Sequence, residues 1–551
     1  MSQGSRQRAP RSELKTRREE VLARLAGCGL ARGPRRVEGA ADGEGGERAA
    51  RLRAALAGLG PVFCSFGLYL ATRVDLLRAG DCLELAAVPD RAPTAPPAAA
   101  RELFRREVGC DPGEAFAHFE DEPFETGLFH QSHRALGADG APVVVKLIRP
   151  GSERLFMRDV ELLPLLEGAA EGLTPGGAAF RSAAADFVSA LRRQLDFAHE
   201  AKAHEALARE AEEFEMLRAP AVRRDLSATR VLTVEEVVGT RLSDAAFPAD
   251  GRRTHRGLPG VGDPAGLARL LCTVWLRLAL SGQVFPVEPH LGNVVAVSDR
   301  QVAFTGGLFA GLPAESQSNL WRYMLAAAGE EPDRACACLV REVRRAGPPG
   351  AEEDLRHLFR QVVPFRDSEW HRDDDVNRLL EHLVVHWRAA SGCGYVPQPH
   401  LPSFYRGLFM VAGVAQRLAP DGDPLLEGLQ DARLLASLGR VRELMSLQQM
   451  GDQFDKYAAM MMGMPGRLDE MLTLGEEGGA RVRLRVTETP SDRRQKNSSA
   501  AVTSLLLVLA SAALLLPPLT ASLLAREWAD RVNAVVFILV GVMVLRAASR
   551  A

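Results

Sequence analysis

"FPVEPHLGN", from Phe285 to Asn293, follows a long hydrophobic stretch and precedes a short apolar run typical of a strand. Glu288 supplies a carboxylate and Asn293 an amide at short loop spacing. Phosphoryl-transfer enzymes use such a pair to orient a nucleophile and to hold Mg²⁺. The next apolar run ends in "VAFTGG", Val302 to Gly307, where Thr305 stands in place of the aspartate expected there. The sequence therefore indicates a phosphoryl-transfer loop with one metal ligand missing.

Lysine is rare in this arginine-rich chain, and the five lysines are Lys15, Lys146, Lys202, Lys456 and Lys496. Lys146 lies inside the apolar strand "PVVVKLIRPG". A lysine at this place favours a site that needs a compact point charge, such as one that contacts nucleotide phosphates. A strand-edge lysine facing solvent is the alternative. Glu200, on a predicted helix in "LDFAHEAKAHEA", could pair with Lys146 across the lobe, although an acidic residue on a helix usually faces solvent.

Composition sets broad limits. With 551 residues, of which 46% are hydrophobic, the chain can form three or four domains with buried cores. A formal net charge of -2 gives no global field for binding nucleic acid.

The eight cysteines match neither a zinc-finger spacing nor a disulfide framework, so a reducing compartment is expected. Cys336 and Cys338 are interpreted as small apolar residues. His382 and His386 could ligate a metal, but packed or surface histidines are favoured.

The C-terminal region has a different composition. No charged residue occurs from Ser498 to Ala525, and a second apolar run covers Val532 to Leu545. We interpret residues 498–551 as a transmembrane hairpin; a buried helical pair stays open because Pro517-Pro518 interrupts the first run. A basic cluster precedes the first span, and the positive-inside rule predicts that the preceding body lies in the cytoplasm. The cluster consists of Arg481, Arg483, Arg485, Arg493, Arg494 and Lys496.

Composition shifts and periodicity divide the chain into six segments. They predict an α+β fold with a small α/β lobe followed by a larger helical lobe. The predicted segments are a poorly ordered basic, Gly-rich tail (1–50), a helical extension and linker (51–100), the small lobe (101–240), the large lobe (241–420), C-terminal helices with the basic cluster (421–497) and the hairpin (498–551). Two helices separated by Gly60-Pro61 are expected within 51–77, and one helical stretch from Phe187 to Glu213.

The order of these features resembles the UbiB/ABC1/ADCK (AarF) family of atypical kinases, from about residue 51 to the C-terminus. "LGPVFCSFGLYLATRVDLL" is similar to the family's "LGPxFxKxGQxLSTRPDLLP", and "QLDFAHEA" is similar to "ELDFxxEA". "HQSHRALGADGAPVVVKLIRPG", "VLTVEEVVG", "FPVEPHLGN" and "RQVAFTGGLFAGLP" match further family motifs in order. The resemblance implies a bilobal protein-kinase-like fold with a helical N-terminal extension and a C-terminal membrane hairpin, as in bacterial members.

Departures from the family pattern fall on functional positions. The catalytic-loop aspartate is Glu288, and the metal-binding aspartate is Thr305, so Mg²⁺ is doubtful with Asn293 as the remaining ligand. By resemblance, ATP or ADP would contact Lys146 and Glu200, together with the altered Ala-rich loop, which is Glu125, Thr126, Gly127 and Leu128 here. Unless it points away, Glu125 would repel a triphosphate by roughly 1 to 4 kcal/mol. The remaining family-specific positions are Ser65, Gly67 and Leu68 in place of Lys, Gly and Gln, and Gln194 and Asp196 in place of Glu and Asp.

The leading hypothesis is a membrane-anchored pseudokinase of the bacterial inner membrane with weak nucleotide binding. The resemblance implies a role in ubiquinone or isoprenoid-lipid metabolism, with the bilayer, a quinone or isoprenoid lipid, biosynthetic enzymes or a second copy of the chain as partners. An active atypical kinase or ATPase that uses Glu288 as base and Asn293 as metal ligand is the first alternative. A membrane scaffold that binds no nucleotide is the second.

Overall fold

A computed structural model describes residues 11–30, 42–170, 177–244, 261–345, 351–361 and 378–444. Residues up to Ala432 belong to one compact unit, and the chain from Arg433 onward belongs to a second. The helices are α1 (Arg11–Gly27), α2 (Asp42–Leu59), α3 (Pro61–Leu70), α4 (Ala79–Ala86), α5 (Pro97–Val108), α6 (Pro112–Ala115), α7 (Ser152–Val160), α8 (Gly177–Gln194), α9 (Phe197–Glu213), α10 (Pro264–Ser281), α11 (Ala314–Ala328), α12 (Pro332–Leu339), α13 (Ala351–Gln361), α14 (Arg378–Gly392), α15 (Leu401–Leu418) and α16 (Pro424–Leu444).

The strands fall into two larger sheets and two pairs. They are β1 (Phe116–Phe119), β2 (Glu125–Thr126), β3 (His130–Gly137), β4 (Pro142–Ile148), β5 (Leu217–Arg218), β6 (Val231–Glu235), β7 (Thr240–Arg241), β8 (Phe285–Pro286), β9 (Val294–Ser298), β10 (Gln301–Phe304), β11 (Phe309–Ala310), β12 (Val343–Arg345) and β13 (Tyr395–Pro397). An antiparallel sheet has the order β1-β3-β4-β6, with β2 paired to β3, and a second sheet has the order β5-β10-β9-β7.

Strand β4 lies inside the sheet of the small lobe, and its two faces have different partners. Val143, Val145 and Leu147 pack with residues of α5. Ile148 packs with residues of α9. Because successive side chains of a strand point to opposite faces, Lys146 lies on the α9 face as well. Burial of each large aliphatic side chain contributes about 1.5–3 kcal/mol relative to exposure. The packing of this strand therefore fixes which way the lysine points.

The helical stretch predicted from Phe187 to Glu213 is two helices. Helix α8 ends at Gln194 and α9 begins at Phe197. Asp196 is the N-cap of α9, and its carboxylate accepts a hydrogen bond from the Ala198 amide at 3.0 Å. A side-chain cap satisfies an amide that has no partner within the helix, so it marks a helix start even inside a continuous apolar pattern. The prediction of one helix was wrong for this reason.

The large lobe is built around α10 and α15. Trp275 of α10 packs against Gly407 of α15 so closely that a Cβ at Gly407 would lie 2.6 Å from the indole Cζ2. The indole Nε1 of Trp275 donates a hydrogen bond to the carbonyl of Pro286 at 2.8 Å. The central helix therefore holds the strand that leads into the loop "FPVEPHLGN". Strands β9 and β10 are antiparallel and pair Val294 with Phe304, which brings the residues just outside this pair side by side.

The N-terminal extension contains α1 to α4. Gly60 separates α2 from α3 with a φ of 100°, which a glycine adopts without strain, so the two helices predicted on either side of Gly60-Pro61 are confirmed. The poorly ordered tail predicted for residues 1–50 is wrong for Arg11–Gly27, which forms a helix. Arg17 of α1 pairs with Asp159 of α7 at 2.9 Å, and the two side chains are 10% and 4% exposed. That ion pair helps to attach α1 to the small lobe.

Several predictions concern residues outside the described ranges: the hairpin at 498–551 and the basic cluster before it. Within the described ranges, no helix combines the length and the apolar character needed to cross a membrane.

His382 and His386 are buried, and His386 stacks on Phe359 with ring centroids 3.9 Å apart. His386 Nδ1 lies 3.3 Å from the Tyr323 hydroxyl and His382 Nδ1 lies 3.4 Å from the Ala327 carbonyl, so both imidazoles are packed, as favoured. Cys336 and Cys338 are buried, as expected.

Candidate functional site

Lys146 and Glu200 form the central ion pair of the cleft between the lobes. Lys146 Nζ lies 2.8 Å from Glu200 Oε1, and the two side chains are 9% and 6% exposed. The predicted pairing is confirmed. Burial is the largest single influence and opposes the charged carboxylate, but Lys146 and His204 together outweigh it and lower the pKa of Glu200 to about 2. The amide of Gly307 also donates to Glu200 Oε1, at 3.3 Å. Helix α9 is thereby held to both the small lobe and the segment after β10.

Glu288 lies in the loop after β8, and each of its carboxylate oxygens has a protein partner. Arg406 of α15 places Nη2 at 2.5 Å from Glu288 Oε1, and the side chains are 10% and 11% exposed. Gln194, at the end of α8, donates from Nε2 to Glu288 Oε2 at 3.0 Å. The guanidinium of Arg406 also lies over the ring of Tyr69, 5.7 Å from its centroid. Both carboxylate oxygens of Glu288 are therefore held by protein groups, one of them a buried cation.

Asn293 and Thr305 lie side by side at the ends of β9 and β10. The Thr305 amide donates to the Asn293 carbonyl at 3.0 Å. Asn293 Nδ2 donates to the Glu288 carbonyl at 3.2 Å, which fixes the amide plane. A Cβ added at Gly306 would lie 3.0 Å from Lys146 Nζ and 3.6 Å from Asn293 Oδ1. The structure thus brings the predicted lysine, the predicted asparagine and the segment with the missing aspartate together around Gly306.

Glu125 points toward the loop that contains Asn293 and does not point away from the cleft. Its Oε2 lies 3.4 Å from Nη1 of Arg241, and Arg241 also lies 3.4 Å from the carbonyl of Gly292. A Cβ at Gly292 would lie 3.1 Å from Glu125 Oε1. Strand β2 and the loop are therefore connected through an ion pair at the place where the resemblance expects nucleotide phosphates.

Thr126 and Gly127 follow Glu125 at the edge of the same sheet. Thr126 pairs with Gln131 of β3. A Cβ at Gly127 would lie 2.8 Å from Cε1 of His130, so the imidazole packs directly against the glycine. Burial, reinforced by the charge of Lys146, lowers the pKa of His130 to about 3. His130 is therefore neutral near pH 7 and adds no positive charge for binding phosphate.

Similar proteins of known family identify the family of this chain. The family described as the ABC1 atypical kinase-like domain matches residues 87–337. A probable protein kinase UbiB of Pseudomonas fluorescens is 30% identical over 386 residues, which are 68% of this chain and 69% of that protein. The chain belongs to the UbiB/ABC1 family. A probable protein kinase UbiB of Pseudomonas entomophila is 32% identical over 286 residues, and there the chain spans about half of the relative, 52% of its length.

Among solved structures, the complex of Rv3197 with erythromycin from Mycobacterium tuberculosis matches at 18% sequence identity. The TM-score is 0.38, over 60% of this chain and 85% of that chain, which is too low to support any inference. Family membership rests on sequence. It agrees with the mixed α/β content and with the bilobal kinase-like fold, and a kinase-like domain suggests nucleotide binding in general.

The five family-specific positions of this UbiB/ABC1 protein lie in different parts of the fold. Gln194 reaches the cleft through its hydrogen bond to Glu288. Asp196 caps α9. Ser65 is buried on α3, and Gly67 packs against side chains of the extension, since a Cβ there would lie 2.9 Å from Leu56 Cδ1. Leu68 is half-buried on the same helix. Of these five positions, the structure brings Gln194 into contact with the loop.

Mg²⁺ does not fit the donor set of this UbiB/ABC1 cleft. Such a hard divalent cation is bound through carboxylate oxygens and phosphates. Thr305 offers a neutral hydroxyl, and Asn293 a neutral amide oxygen. The carboxylates of Glu200 and Glu288 are each paired with a buried cation. Within the described part of the chain, no cluster of three or more candidate ligands exists. The site therefore offers Mg²⁺ no unpaired carboxylate among these residues.

The sequence analysis did not predict Arg406 and Arg241, the cations that form ion pairs with Glu288 and Glu125. Neither belongs to a local motif. Arg406 lies on α15, far along the chain from the loop, and Arg241 lies in a strand of two residues. One signal was available: Glu in place of Asp lengthens the side chain by one bond, which suggests that the carboxylate has a different partner. The identity of that partner depends on how α15 packs.

Proposed function

We propose that this protein is a membrane-anchored pseudokinase of the UbiB/ABC1 family that carries out little or no phosphoryl transfer. The observation that carries the proposal is that the three glutamates described above at the cleft are each paired with a cation. The pairs are Glu125 with Arg241 at 3.4 Å, Glu200 with Lys146 at 2.8 Å and Glu288 with Arg406 at 2.5 Å. None of these carboxylates occupies the metal position, which is Thr305.

The chemical consequence concerns charge. Phosphoryl transfer depends on cations that neutralise the transferred group, and metal-ion stabilisation contributes several kcal/mol. Thr305 cannot supply the missing negative ligand. Glu288 is also displaced by about one bond length relative to an aspartate, and a displacement near 1 Å costs on the order of a hundredfold in rate. The two changes affect different parts of catalysis: Thr305 weakens metal binding, and Glu288 displaces the catalytic base.

Nucleotide binding without turnover is part of the proposal. Lys146 is held at the centre of the cleft by Glu200 and is the side chain that would contact phosphates. Glu125 would oppose the same phosphates, because it lies against Gly292 in the adjoining loop. We therefore propose weak binding of ATP or ADP that does not depend on Mg²⁺. A scaffold that binds no nucleotide is favoured by the same Glu125–Arg241 pair.

The biological role is proposed from family membership and from sequence. Apolar composition at 498–551 and the preceding basic cluster support anchoring in a bacterial inner membrane with the body in the cytoplasm. Similarity to probable protein kinases UbiB supports a role in the biosynthesis or handling of ubiquinone or another isoprenoid lipid. The protein would then act by positioning a lipid or biosynthetic enzymes at the membrane surface.

Isothermal titration of the full-length protein in detergent micelles with ATP, with and without Mg²⁺, tests the proposal alongside an assay of phosphate release. We expect weak binding that Mg²⁺ does not strengthen, and no turnover. Mg²⁺-dependent hydrolysis that disappears in Glu288→Gln but persists in Glu205→Gln would overturn the pseudokinase and support the enzyme. Glu205 is a suitable control because it also pairs with an arginine, Arg224, but on the exposed surface. Complete absence of nucleotide binding would support the scaffold.

A further inference from the structure

A cavity of about 420 Å³ lies beside the cleft, between the junction of α8 with α9 and the segment that follows β10. Its volume is within the range of small-molecule sites in proteins, roughly 300–1,000 Å³. Gln194, Glu200 and Gly307 border both the cavity and the cleft. The cavity extends toward the start of α15, where His400 and Ser403 line it.

The walls of the cavity combine apolar surface with basic side chains. Val284, Leu308 and Phe309 provide apolar surface. Arg193 and Lys202 are the strongly basic lining residues. Lys202 lies on the exposed face of α9, at the entrance, and Arg193 is half-buried at the end of α8. An apolar interior with cations at its entrance matches a ligand that has an apolar body and an anionic head.

Neither cation has a carboxylate within ion-pair distance among the described residues. Lys202 interacts electrostatically with Glu205, one turn further along α9, but Glu205 is itself paired with Arg224. Arg193 donates from Nη1 to the Ser189 hydroxyl at 3.3 Å, a neutral acceptor, and it has no carboxylate partner among the same residues. The lining carboxylate of Glu200 is committed to Lys146 at 2.8 Å. Arg193 and Lys202 are therefore the cations of the cavity wall that remain available to an anionic ligand.

The two histidines in the wall already have acidic partners. His199 Nδ1 lies 3.1 Å from Asp196 Oδ2, and His400 Nε2 lies 2.7 Å from Glu342 Oε2. These contacts orient both imidazoles, so the free cationic capacity belongs to Arg193 and Lys202. Guanidinium and ammonium groups bind phosphate oxygens, the guanidinium through paired N–H donors and the ammonium as a point charge.

We propose that this cavity binds a phosphate monoester carried on a small apolar body, with Arg193 and Lys202 at the phosphate. The phosphate belongs either to a soluble compound or to the headgroup of a lipid that presents it at the membrane surface. The site does not depend on nucleotide binding or on phosphoryl transfer, so it stands or falls separately from the proposed function.

Phenyl phosphate is the probe for the soluble source, titrated calorimetrically into the full-length protein in phosphatidylcholine nanodiscs. Lys202→Gln is expected to weaken binding about tenfold or more, which corresponds to about 1.4 kcal/mol. Lys15→Gln, at an exposed lysine of α1, is the matched control and is expected to leave the affinity unchanged. Benzyl alcohol has a similar apolar body without the phosphate. Equal binding of benzyl alcohol, or equal weakening by both variants, would overturn the proposal.

Nanodiscs that contain phosphatidic acid test the lipid source. Protection of Lys202 from acetylation, measured by mass spectrometry relative to pure phosphatidylcholine and with Lys15 as internal reference, would support a lipid headgroup. Binding of phenyl phosphate with no such protection would support a soluble ligand. Absence of both effects would refute the site. Each outcome is independent of the ATP titration, because neither probe contains a nucleotide.

Discussion

Replacing Arg406 by methionine is expected to destabilise the large lobe strongly, because it leaves the carboxylate of Glu288 buried without its cation. The two side chains are 10% and 11% exposed, and their charged atoms are 2.5 Å apart. Removing one member of a buried ion pair costs roughly 3–5 kcal/mol. Glu288 would keep the hydrogen bond from Gln194 at 3.0 Å, so we expect a loss near the lower end, about 3 kcal/mol.

A double-mutant cycle separates the pair from the rest of the packing. Glu288→Gln leaves Arg406 over the ring of Tyr69, 5.7 Å from the centroid, and is expected to cost about 2 to 3 kcal/mol. Arg406→Met with Glu288→Gln removes both charges, so its loss should be smaller than the sum of the single losses by about 2 kcal/mol. The exposed pair Arg224–Glu205 is the control, with an expected coupling of about 0.2–1 kcal/mol.

Urea denaturation of the detergent-solubilised protein, followed by tryptophan fluorescence, measures these free energies of unfolding. Two tryptophans report on α15: Trp387 stacks on Tyr405 with ring centroids 4.0 Å apart, and Trp275 packs on Gly407. A coupling below about 0.5 kcal/mol, within the usual error of additivity, would refute the reasoning. Glu288 would then not be held by Arg406, and its carboxylate would be available for proton transfer.

Three further predictions concern single side chains around the cleft. The folded pKa of Glu200 is about 2, against 4.5 for the free group, so its stabilisation is complete above pH 4.5 and is lost as the pH falls to 2. In urea titrations at each pH, wild type should therefore lose about 3 kcal/mol more than Glu200→Gln over that range, and an equal loss in both would contradict the lowered pKa. Glu125→Gln should tighten ATP binding at least fivefold by calorimetry, because it removes repulsion of the phosphates and frees Arg241; unchanged affinity would show that phosphates do not approach this loop. His204→Leu compares two opposing effects: both ring nitrogens are buried without a hydrogen bond, whereas Nε2 lies 3.8 Å from Glu200 Oε1 and helps to lower the pKa of that carboxylate. Because 3.8 Å is too long for a hydrogen bond, we expect the free energy of unfolding to rise by about 1 kcal/mol, and a decrease would show that the contact with Glu200 outweighs the burial of the ring nitrogens.

The parts of the site that the sequence could predict depend on local order. Lys146 sits in a strand whose alternation sends it to the α9 face, and Glu200 lies in the first turn of that helix, so the pair follows from period and position. The loop from Glu288 to Asn293 is contiguous, and its geometry is set by the flanking strands β8 and β9. These elements could be read without knowing how the lobes pack.

The remaining features depend on tertiary packing that local sequence does not encode. The partner of Glu288 lies on α15, and the direction of Glu125 depends on the two-residue strand β7. Neither contact leaves a periodic signal. The helix break before Phe197 depends on one side chain, Asp196, whose capping role is invisible within a continuous apolar pattern. The order of Arg11–Gly27 depends on tertiary contacts, which include the buried side chains Val21 and Leu25 and the ion pair between Arg17 and Asp159.

The pairing of the cleft carboxylates follows from the loss of one ligand. In a metal-dependent kinase, divalent cations compensate the negative charges around the phosphates. Without such a cation, a buried carboxylate must either gain a protein cation or become protonated. Arg406 and Arg241 supply that compensation for Glu288 and Glu125. Under the proposed function, the paired cleft is stable without nucleotide or metal, which would allow a kinase-like fold to be retained without phosphoryl transfer.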